Sequence, residues 1–381
     1  MDIAIVQPFL NRMGGAERVV LKMAQHYNAL IYVVDYDKDR TFPEFKNLDV
    51  RVIPSPKWVN LFKFLPHRIF LGFKYGAVFH SYKFKEKYDF IIANYSPSEW
   101  LAIKNKNVVW YCHSPLRDVY DLYDYRKQNG MKFDQWYYKF LVGIFRNIDK
   151  KAVSKIKIIL TNSQNVQNRI RKYLNRNAKI IYPCIDTEKY RNDGDGKYFL
   201  YVSRFVPQKR QDYIVRAFER FHSMYDENGE YSLILAGGVS EDIESINYVR
   251  GLKEFIGDNP LIKIIENPPD NDVINLYSKC TAFLFAGLDE DFGIVPIEAM
   301  ASGKVVISVN EGGPKEYIVD KENGFLAPNI EIFAESMDFI KSRGMLAKNM
   351  GEQAKNTAIT MFSCVKFFEK LDEALRQFKY P

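Results

Sequence analysis

Short apolar runs alternate with stretches of helical periodicity along the whole chain. In the first half the runs that predict strands are Ile3–Val6, Leu30–Val34, Val50–Ile53, Phe90–Asn94, Val108–Tyr111, Ile156–Thr161 and Lys179–Ile181. In the second half they are Phe199–Ser203, Ser232–Ala236, Ile262–Ile265, Ala282–Phe285 and Val305–Ser308. Strands that alternate with helices are typical of parallel sheets. The pattern therefore predicts an α/β protein with two successive doubly wound units, and Pro8 is expected to end the first strand.

A linker-like segment separates the two series of strands. Residues 182–197 read Y-P-C-I-D-T-E-K-Y-R-N-D-G-D-G-K, which is rich in turn formers and charge. We therefore predict a first domain over residues 1–185 and a second over residues 186–360. Residues 361–381 form a third segment, in which Met361 to Phe378 has the apolar spacing of an amphipathic helix.

Composition restricts the compartment and the kinds of site. The four cysteines among 381 residues are far apart and form no C-x-x-C pair. They suit neither a zinc site nor a disulfide framework, which favours a reducing compartment. The N-terminus does not read as a signal peptide, and no apolar run approaches about 18 residues. We expect a cytoplasmic protein, either soluble or peripheral on the cytoplasmic membrane face.

The net charge of +7 is unevenly distributed. The stretch Lys57–Lys87 contains seven Lys or Arg residues against one acid, Glu86, and aromatic residues are interleaved with them. Such a stretch would suit an anionic membrane surface. It could equally suit nucleic acid, although no nucleic acid is expected among the partners. The structural alternative is an aromatic-cored helical segment with a solvated basic face.

The densest group of chemically useful residues runs from Asp289 to Ile318. It begins at the corner between a buried strand and an Ala/Met-rich helix, where open α/β sheets bind ligands. Glu290 and Glu298 stand eight residues apart across that corner. The N–H groups of Gly293–Val295 at the helix start suit a phosphate. Alternatively, Glu298 is an exposed residue of the helix's first turn, where the helix dipole favours it.

Three further segments place polar residues at strand ends. Arg204 directly follows a strand and Lys209 lies five residues further on, although both could be ordinary surface cations. Gly14 and Gly15 follow the first strand in G-G-A-E-R, which permits close approach to a ligand or simply forms a tight turn. His113 comes just past a buried strand, at its carboxyl end.

These motifs together resemble the family 4 glycosyltransferases, which are retaining enzymes of the GT-B fold. The resemblance is carried by E-D-F-G-I-V-P-I-E-A-M-A-S-G, with G-G-A-E-R, H-S-P, Y-P-C-I-D-T, S-R-F-V-P-Q-K and G-G-P-K-E. It implies two Rossmann-like domains that face each other across a cleft, with the C-terminal helix returning to the first domain. The chain departs from the family's pattern at Ala286, where members often have Pro, and at Arg210, where they usually have Gly.

The resemblance also assigns roles to individual residues. It implies that His113 and Glu290 act at the transferred sugar as the catalytic pair, and that Gly14 and Arg18 lie on the acceptor side. The implied donor-binding residues are Gly15, Arg204, Lys209, Phe292, Gly293, Ile294, Val295 and Glu298. Among these, Arg204 and Lys209 would neutralise the diphosphate leaving group, and Glu298 would hold the ribose. No metal and no cofactor other than the nucleotide sugar are expected.

The same segments suggest the substrate. C-H-S-P with Y-P-C-I-D-T is similar to mannosyltransferases that use GDP-mannose, so mannose is the expected sugar and UDP-sugars are the alternative. The acceptor would be a glycan or a lipid-linked saccharide, and the segments Asp118–Arg126 and Trp136–Tyr138 would form an acceptor-side surface of the protein. Two other functions stay open: a sugar-nucleotide epimerase or hydrolase, which product analysis would reveal, and a non-enzymatic peripheral membrane protein.

Overall fold

The computed structural model describes residues 1–65, 67–124 and 135–379, with only the backbone at residues 68, 135–137 and 378–379. In the two segments predicted to form an acceptor-side surface, residues 125 and 126 lie outside the described residues, and residues 136 and 137 are described by their backbone alone. The chain forms two compact units, Met1–Tyr182 with the residues from Lys370 onward, and Pro183–Glu369. Among the helices described, none combines the length and apolarity that a membrane span requires.

The first unit is built on a parallel sheet whose central strands are buried on both faces. Its strands are β1 (Ile3–Leu10), β2 (Leu30–Tyr36), β3 (Val50–Val52), β4 (Phe90–Asn94), β5 (Val108–Cys112), β6 (Ile158–Thr161) and β7 (Lys179–Ile180). Its helices are α1 (Gly15–Tyr27), α2 (His67–Ser81), α3 (Gln135–Ser154) and α4 (Gln164–Leu174). Every residue of β4 and β5 is buried, as continuous apolar runs predict.

The second unit repeats this plan. Its strands are β8 (Tyr198–Val202), β9 (Ser232–Gly237), β10 (Ile262–Glu266), β11 (Ala282–Phe285), β12 (Val306–Val309) and β13 (Gly324–Ala327). Its helices are α5 (Gln211–Tyr225), α6 (Ile243–Ile256), α7 (Asp270–Lys279), α8 (Ile294–Ala301), α9 (Ile330–Ser342) and α10 (Gly344–Phe362). The last helix, α11 (Cys364–Lys379), begins in this unit, and its residues from Lys370 onward belong to the first.

Strand order identifies the ligand-binding edge of each sheet. The orders are β3-β2-β1-β4-β5-β6-β7 and β10-β9-β8-β11-β12-β13, and all the pairings are parallel. In both sheets the order reverses between the first strand and the fourth, at β1/β4 and at β8/β11. This is the Rossmann arrangement, which binds ligands beside the carboxyl ends of those two strands. The prediction of two Rossmann-like α/β domains is confirmed.

Three local predictions differ from the structure. The first strand continues through Pro8 to Leu10; its pairing with β4 ends at Val6, so the missing N–H of Pro8 costs no ladder hydrogen bond on that side. The strand β13 was not predicted, because it has only four residues, Gly324–Ala327, between a turn and the next helix. The final helix does not begin at Met361, since the extended backbone of Ser363 separates α10 from α11.

The basic aromatic stretch Lys57–Lys87 divides into two parts. Its second part belongs to the core, with Tyr75, Phe79 and Phe84 buried, as the structural alternative predicted. Its first part is different, because three apolar side chains stand in solvent: Trp58, Leu61 and Phe64 are 49%, 74% and 75% exposed.

Candidate active site

The carboxyl ends of β8 and β11 bring together a lysine and a glutamate of the second unit. Lys209 ends the 3-10 turn that follows β8, and Glu290 lies in the loop after β11. Their side chains form an ion pair of 2.6 Å between Nζ and Oε2, with only 14% and 20% of the two side chains exposed. Because β8 and β11 are the strands between which the order reverses, the pair stands where such sheets bind ligands.

Backbone contacts fix the loop that carries Glu290. The Leu288 N–H donates to the Gln208 carbonyl at 2.8 Å, and the Gly313 N–H donates to the Glu290 carbonyl at 2.8 Å. Gly312 has a φ of +71°, and a Cβ atom there would lie 2.5 Å from the Glu290 nitrogen. Only glycine satisfies both conditions. The G-G pair after β12 therefore holds the backbone of Glu290 in place.

The start of α8 offers N–H groups. Gly293 precedes the helix and provides no side-chain cap, so the amides of Ile294 and Val295 stand at the N-terminus with the positive end of the helix dipole. The Tyr317 hydroxyl lies 2.8 Å from the Gly293 carbonyl and 3.2 Å from that of Phe292. A buried tyrosine thus anchors the turn from its inner side, a contact that the sequence pattern did not reveal.

Two predicted donor-side residues have side chains inside the protein. Glu298 is 7% exposed, and its Oε2 accepts a hydrogen bond from the buried Tyr277 hydroxyl at 3.1 Å. Glu298 is therefore not the exposed first-turn residue of the structural alternative. Phe292 is 2% exposed and packs against the rings of Tyr317 and Phe362, with centroids 5.7 and 5.5 Å apart. The Phe292 side chain belongs to the core, which leaves its backbone for any contact with a donor.

Two arginines flank Lys209 in different ways. Arg204 lies two residues past the end of β8 and is exposed. Arg210 pairs with Glu311 and donates from Nε to the Ala286 carbonyl at 2.6 Å. Arg210 also has a φ of +49°, in the left-handed region that favours glycine. The two positions that depart from the family's pattern, Ala286 and Arg210, are therefore in direct contact.

In the first unit, His113 follows β5 and is 9% exposed. Burial lowers the pKa of its imidazole to about 3, so the ring is neutral at neutral pH. Its Nε2 lies 2.9 Å from the Oδ1 of Asn94, the last residue of β4. A neutral imidazole donates through one nitrogen and accepts through the other. His113 can therefore orient a hydroxyl group, but it does not supply a positive charge.

A chain of buried polar groups continues from Asn94. Its Nδ2 donates to Gln7 Oε1 at 2.5 Å, and Gln7 Nε2 donates to Glu17 Oε1 at 3.2 Å. The guanidinium of Arg12 pairs with the same carboxylate at 3.4 Å. Gln7 and Asn94 are fully buried and Glu17 is 1% exposed. The sequence interpretation missed these residues, although a polar residue at the end of a buried apolar strand was a usable signal.

The glycine in the loop after β1, Gly14, is required by packing within the protein. A Cβ atom on Gly14 would lie 2.5 Å from Glu17 Oε2, so the glycine makes room for a carboxylate of the same chain. Gly15 begins α1, and the Arg18 guanidinium lies over the Phe42 ring, 5.1 Å from its centroid. Within the described ranges, no three His, Cys, Asp or Glu side chains are grouped so that they could hold a metal ion.

The chain matches two protein-family models that meet near the boundary between the units. The model described as Glycosyltransferase Family 4 matches residues 13–189. The model described as Glycosyl transferases group 1 matches residues 185–357. The two matches together span residues 13–357.

Relatives match over nearly their full length. Alpha-1,3/1,6-mannosyltransferase ALG2 of Dictyostelium discoideum is 24% identical over 99% of this chain and 98% of its own length. The Mus musculus protein of the same name is 27% identical over 94% of this chain and 92% of its own length. The GDP-Man:Man(3)GlcNAc(2)-PP-Dol alpha-1,2-mannosyltransferase of Homo sapiens is 24% identical over 96% of this chain and 85% of its own.

Solved structures share the fold at lower identity. The crystal structure of Anabaena HepE in complex with UDP and glucose has a TM-score of 0.75 at 20% identity, covering 99% of both chains. Sucrose-phosphate synthase from Thermosynechococcus elongatus has a TM-score of 0.76 at 17% identity, also covering 99% of both. These likenesses support the assignment of the two-domain α/β fold.

Proposed function

This chain is a family 4 glycosyltransferase of the GT-B fold, and from that premise we propose that it transfers mannose from GDP-mannose to a lipid-linked glycan with retention of the anomeric configuration. The observation that carries the proposal is the Lys209–Glu290 pair at the switch point of the second sheet. It places a cation suited to a diphosphate beside a carboxylate suited to a sugar.

The sugar and the acceptor are inferred from the relatives. Those compared above are mannosyltransferases by name, and the name of the human relative specifies a GDP-Man donor and a PP-Dol-linked acceptor. They favour transfer over epimerisation or hydrolysis and over a purely binding role. UDP-sugars are the second candidate donors, because the structural relative HepE was solved with UDP.

Departure of the nucleoside diphosphate is the step that needs positive charge. We assign this role to Lys209 and the exposed Arg204, with the N–H groups of Gly293, Ile294 and Val295 completing the cradle. Lys209 is paired with Glu290 in the structure, so a bound diphosphate would share its ammonium group. The carboxylate would then be less neutralised when positive charge develops on the sugar.

The transfer itself needs no protein nucleophile on this proposal. The acceptor hydroxyl oxygen forms a bond to the anomeric carbon while the bond from that carbon to the phosphate oxygen breaks. The departing phosphate oxygen takes the hydroxyl proton on the same face of the sugar, which preserves the configuration. Glu290 and the neutral His113 would position the sugar, and Glu298 with its partner Tyr277 would hold the ribose.

A nucleotide panel tests the donor site. We expect GDP and GDP-mannose to raise the Tm of the wild type more than UDP, ADP or their sugars do, with the rise retained in EDTA. Ligand at a hundred times its Kd stabilises by about 2.7 kcal/mol. Arg204→Ala should abolish most of the shift. Arg220→Ala is the matched control, because Arg220 is an exposed arginine of the same unit on α5, and it should respond like the wild type.

Product analysis tests the reaction. With GDP-mannose and a lipid-linked oligosaccharide, mannose should appear on the acceptor in the α configuration, and little free mannose should form without acceptor. A UDP-selective shift would replace the donor by a UDP-sugar. Rearranged or hydrolysed donor regardless of acceptor would support the epimerase or hydrolase, and the absence of any nucleotide response would refute the donor site.

A lipid-linked acceptor would bring the enzyme to a membrane, and we propose that the first unit docks there. Trp58, Leu61 and Phe64 form what we call the exposed aromatic surface, which the half-buried rings of Phe62 and Phe73 support from below. The Phe62 and Phe73 rings lie 4.5 Å apart, and Trp58 lies 5.8 Å from Phe73. Lys57 and Lys63 are exposed in the same segment. Aromatic residues flanked by lysines suit the cytoplasmic face of an anionic bilayer.

A further inference from the structure

We propose that Gln7 and Asn94 are positioning residues that hold His113 in the tautomer protonated on Nε2, so that Nδ1 accepts a hydrogen bond from a hydroxyl group of the transferred sugar. The role of Nδ1 rests on the function proposed above. The tautomer itself does not, because it follows from contacts within the first unit.

The direction of the hydrogen bonds is set at Gln7. One end of its side-chain amide lies 3.1 Å from the Phe9 carbonyl oxygen and 3.2 Å from Glu17 Oε1. A carbonyl oxygen can only accept, and a carboxylate paired with the Arg12 guanidinium accepts as well. This end of Gln7 must therefore be the NH2 group, and its oxygen must face Asn94.

The same logic passes through Asn94 to the histidine. The Asn94 atom that faces Gln7 Oε1 at 2.5 Å must be its NH2 nitrogen, which turns Oδ1 toward His113. The Nε2 atom 2.9 Å from that oxygen must then carry a hydrogen. A neutral imidazole has one N–H group, and burial keeps this ring neutral by lowering its pKa to about 3. Nδ1 is therefore an acceptor.

The tautomer protonated on Nδ1 is incompatible with the hydrogen bonds that Asn94 and Gln7 make. If His113 lacked a hydrogen on Nε2, Asn94 would have to flip, and its oxygen would then face the oxygen of Gln7. Gln7 cannot flip in turn without turning its oxygen toward the Phe9 carbonyl and the Glu17 carboxylate. The two amides are fully buried, so water cannot replace the lost hydrogen bonds. Through Gln7 and Asn94, the Phe9 carbonyl thus determines which nitrogen of His113 carries the hydrogen.

The position of the two amides in the fold supports this role. Gln7 lies on β1 and Asn94 ends β4, and these are the strands between which the order of the first sheet reverses. Their hydrogen bond crosses the switch point beside which such sheets bind ligands. The nitrogen that a histidine protonates is commonly set by the hydrogen bond made at its other nitrogen.

Nitrogen NMR of the full chain tests the tautomer without any substrate. The protein would be labelled with 15N-histidine, and the His113→Gln variant would assign one of the five histidines. We expect a protonated Nε2 and an unprotonated Nδ1 for His113 at pH 6 to 8. A protonated Nδ1, or a doubly protonated ring, would overturn the proposal. This outcome is independent of whether mannose is the sugar transferred.

A double-mutant cycle tests the positioning role. Asn94→Leu should lower kcat about tenfold or more, because a ring that is no longer held in one orientation positions the sugar less well, and it should let the Nδ1–H tautomer appear. In the His113→Gln background the same change should cost almost nothing further, because Asn94 acts through the ring. An equal fold-loss in both backgrounds would show a merely structural role and overturn the proposal.

Two further variants keep the test decisive. Asn105→Leu is the control, because Asn105 is a partly buried amide of the same unit bonded to backbone groups, and its kcat should stay at the wild-type level. If Asn94→Leu does not fold, Gln7→Met replaces it. That variant removes the oxygen that holds the Asn94 amide in one orientation, so Asn94 can flip and the Nδ1–H tautomer should appear. An unchanged Nε2–H pattern in Gln7→Met would contradict the proposal.

Discussion

At the scale of single residues, the first unit buries two carboxyl groups that no proposed step uses. Asp149 accepts hydrogen bonds from the Trp100 indole at 3.1 Å and the Tyr120 hydroxyl at 2.7 Å. Both carboxyl oxygens of Glu99 are buried without a partner at hydrogen-bond distance in the part of the chain that the structure describes. Burial and the negative charge of Asp149 raise the pKa of Glu99 well above its ordinary value of 4.5. Glu99 is therefore the member of the pair that holds a proton.

This assignment predicts a pH-dependent stabilisation by Glu99→Gln. Above pH 4.5 the unfolded chain releases the Glu99 proton while the folded protein keeps it, so the wild type loses stability as the pH rises toward the folded pKa. Glutamine has no proton to lose. We expect the variant's advantage to grow by about 1.4 kcal/mol per pH unit in that window, as measured by urea unfolding at several pH values.

The control for this prediction is Glu44→Gln, which replaces an exposed glutamate of the same unit. Its stability relative to the wild type should not follow the trend of Glu99→Gln. If Glu99→Gln changed the free energy of unfolding by the same amount at every pH, Glu99 would be ionised in the folded protein, and the assignment of the proton would be wrong.

At the scale of elements, the junction between β8 and α5 contains a strained backbone conformation at Arg210. Arg210 precedes α5 with a φ of +49°, which costs a non-glycine residue about 1–2 kcal/mol. Its contacts with Glu311 and the Ala286 carbonyl offset that cost. Arg210→Ala loses the contacts and keeps the strain, whereas Arg210→Gly loses the contacts and removes the strain. We expect Arg210→Gly to be more stable than Arg210→Ala by about 1 kcal/mol, as measured by urea unfolding.

Position 216 supplies the matched comparison. Arg216 lies within α5 and is exposed, so glycine there should be less stable than alanine by about 1 kcal/mol. The order of alanine and glycine should therefore reverse between the two positions. If alanine were the more stable replacement at both, the left-handed backbone of Arg210 would carry no cost.

How far the elements could be predicted follows from the range of their interactions. Strands such as β4 and β5 are apolar over their whole length, so a local pattern reveals them. The strand β13 has four residues and pairs with β12, which no local pattern records. The break between α10 and α11 depends on one extended residue, Ser363, within an otherwise helical pattern.

The candidate site also contains residues that the sequence predicts and residues that it does not. The positions of Glu290, Lys209 and His113 at strand ends could be predicted, because the carboxyl ends of parallel strands share one edge. Their partners could not be predicted, because Asn94 and Gln7 are 87 residues apart and Lys209 and Glu290 are 81 apart. Such pairs depend on the strand order, which a single sequence leaves open.

At the scale of the whole molecule, each unit has a polar bridge across its own switch point. The first bridge is neutral and buried, from Gln7 to Asn94, and it ends on a neutral histidine. The second is charged and partly exposed, from Lys209 to Glu290. The chemistry of a nucleotide sugar divides similarly, since hydroxyl groups need oriented neutral partners and a diphosphate needs charge.

The exposed aromatic surface gives the prediction for the molecule as a whole. The protein should pellet with phosphatidylcholine vesicles that contain phosphatidylglycerol at low salt, and less so without the anionic lipid. Each lysine near an anionic surface contributes about 1 kcal/mol. Replacing Lys57 and Lys63 by Gln should therefore weaken binding roughly 30-fold. Replacing Trp58, Leu61 and Phe64 by Ser should abolish binding, because the apolar contact is lost.

The control must remove equally exposed apolar side chains elsewhere, so that a general change in surface hydrophobicity is not mistaken for docking. Met345, Leu346 and Val365 of the second unit are 73%, 53% and 68% exposed, and their replacement by Ser should leave sedimentation unchanged. If both triple variants lost binding equally, the contact with lipid would be nonspecific. If the wild type did not pellet at low salt, a lipid-linked acceptor would have to reach the enzyme without this surface, because Trp58, Leu61 and Phe64 would then have no role at a bilayer.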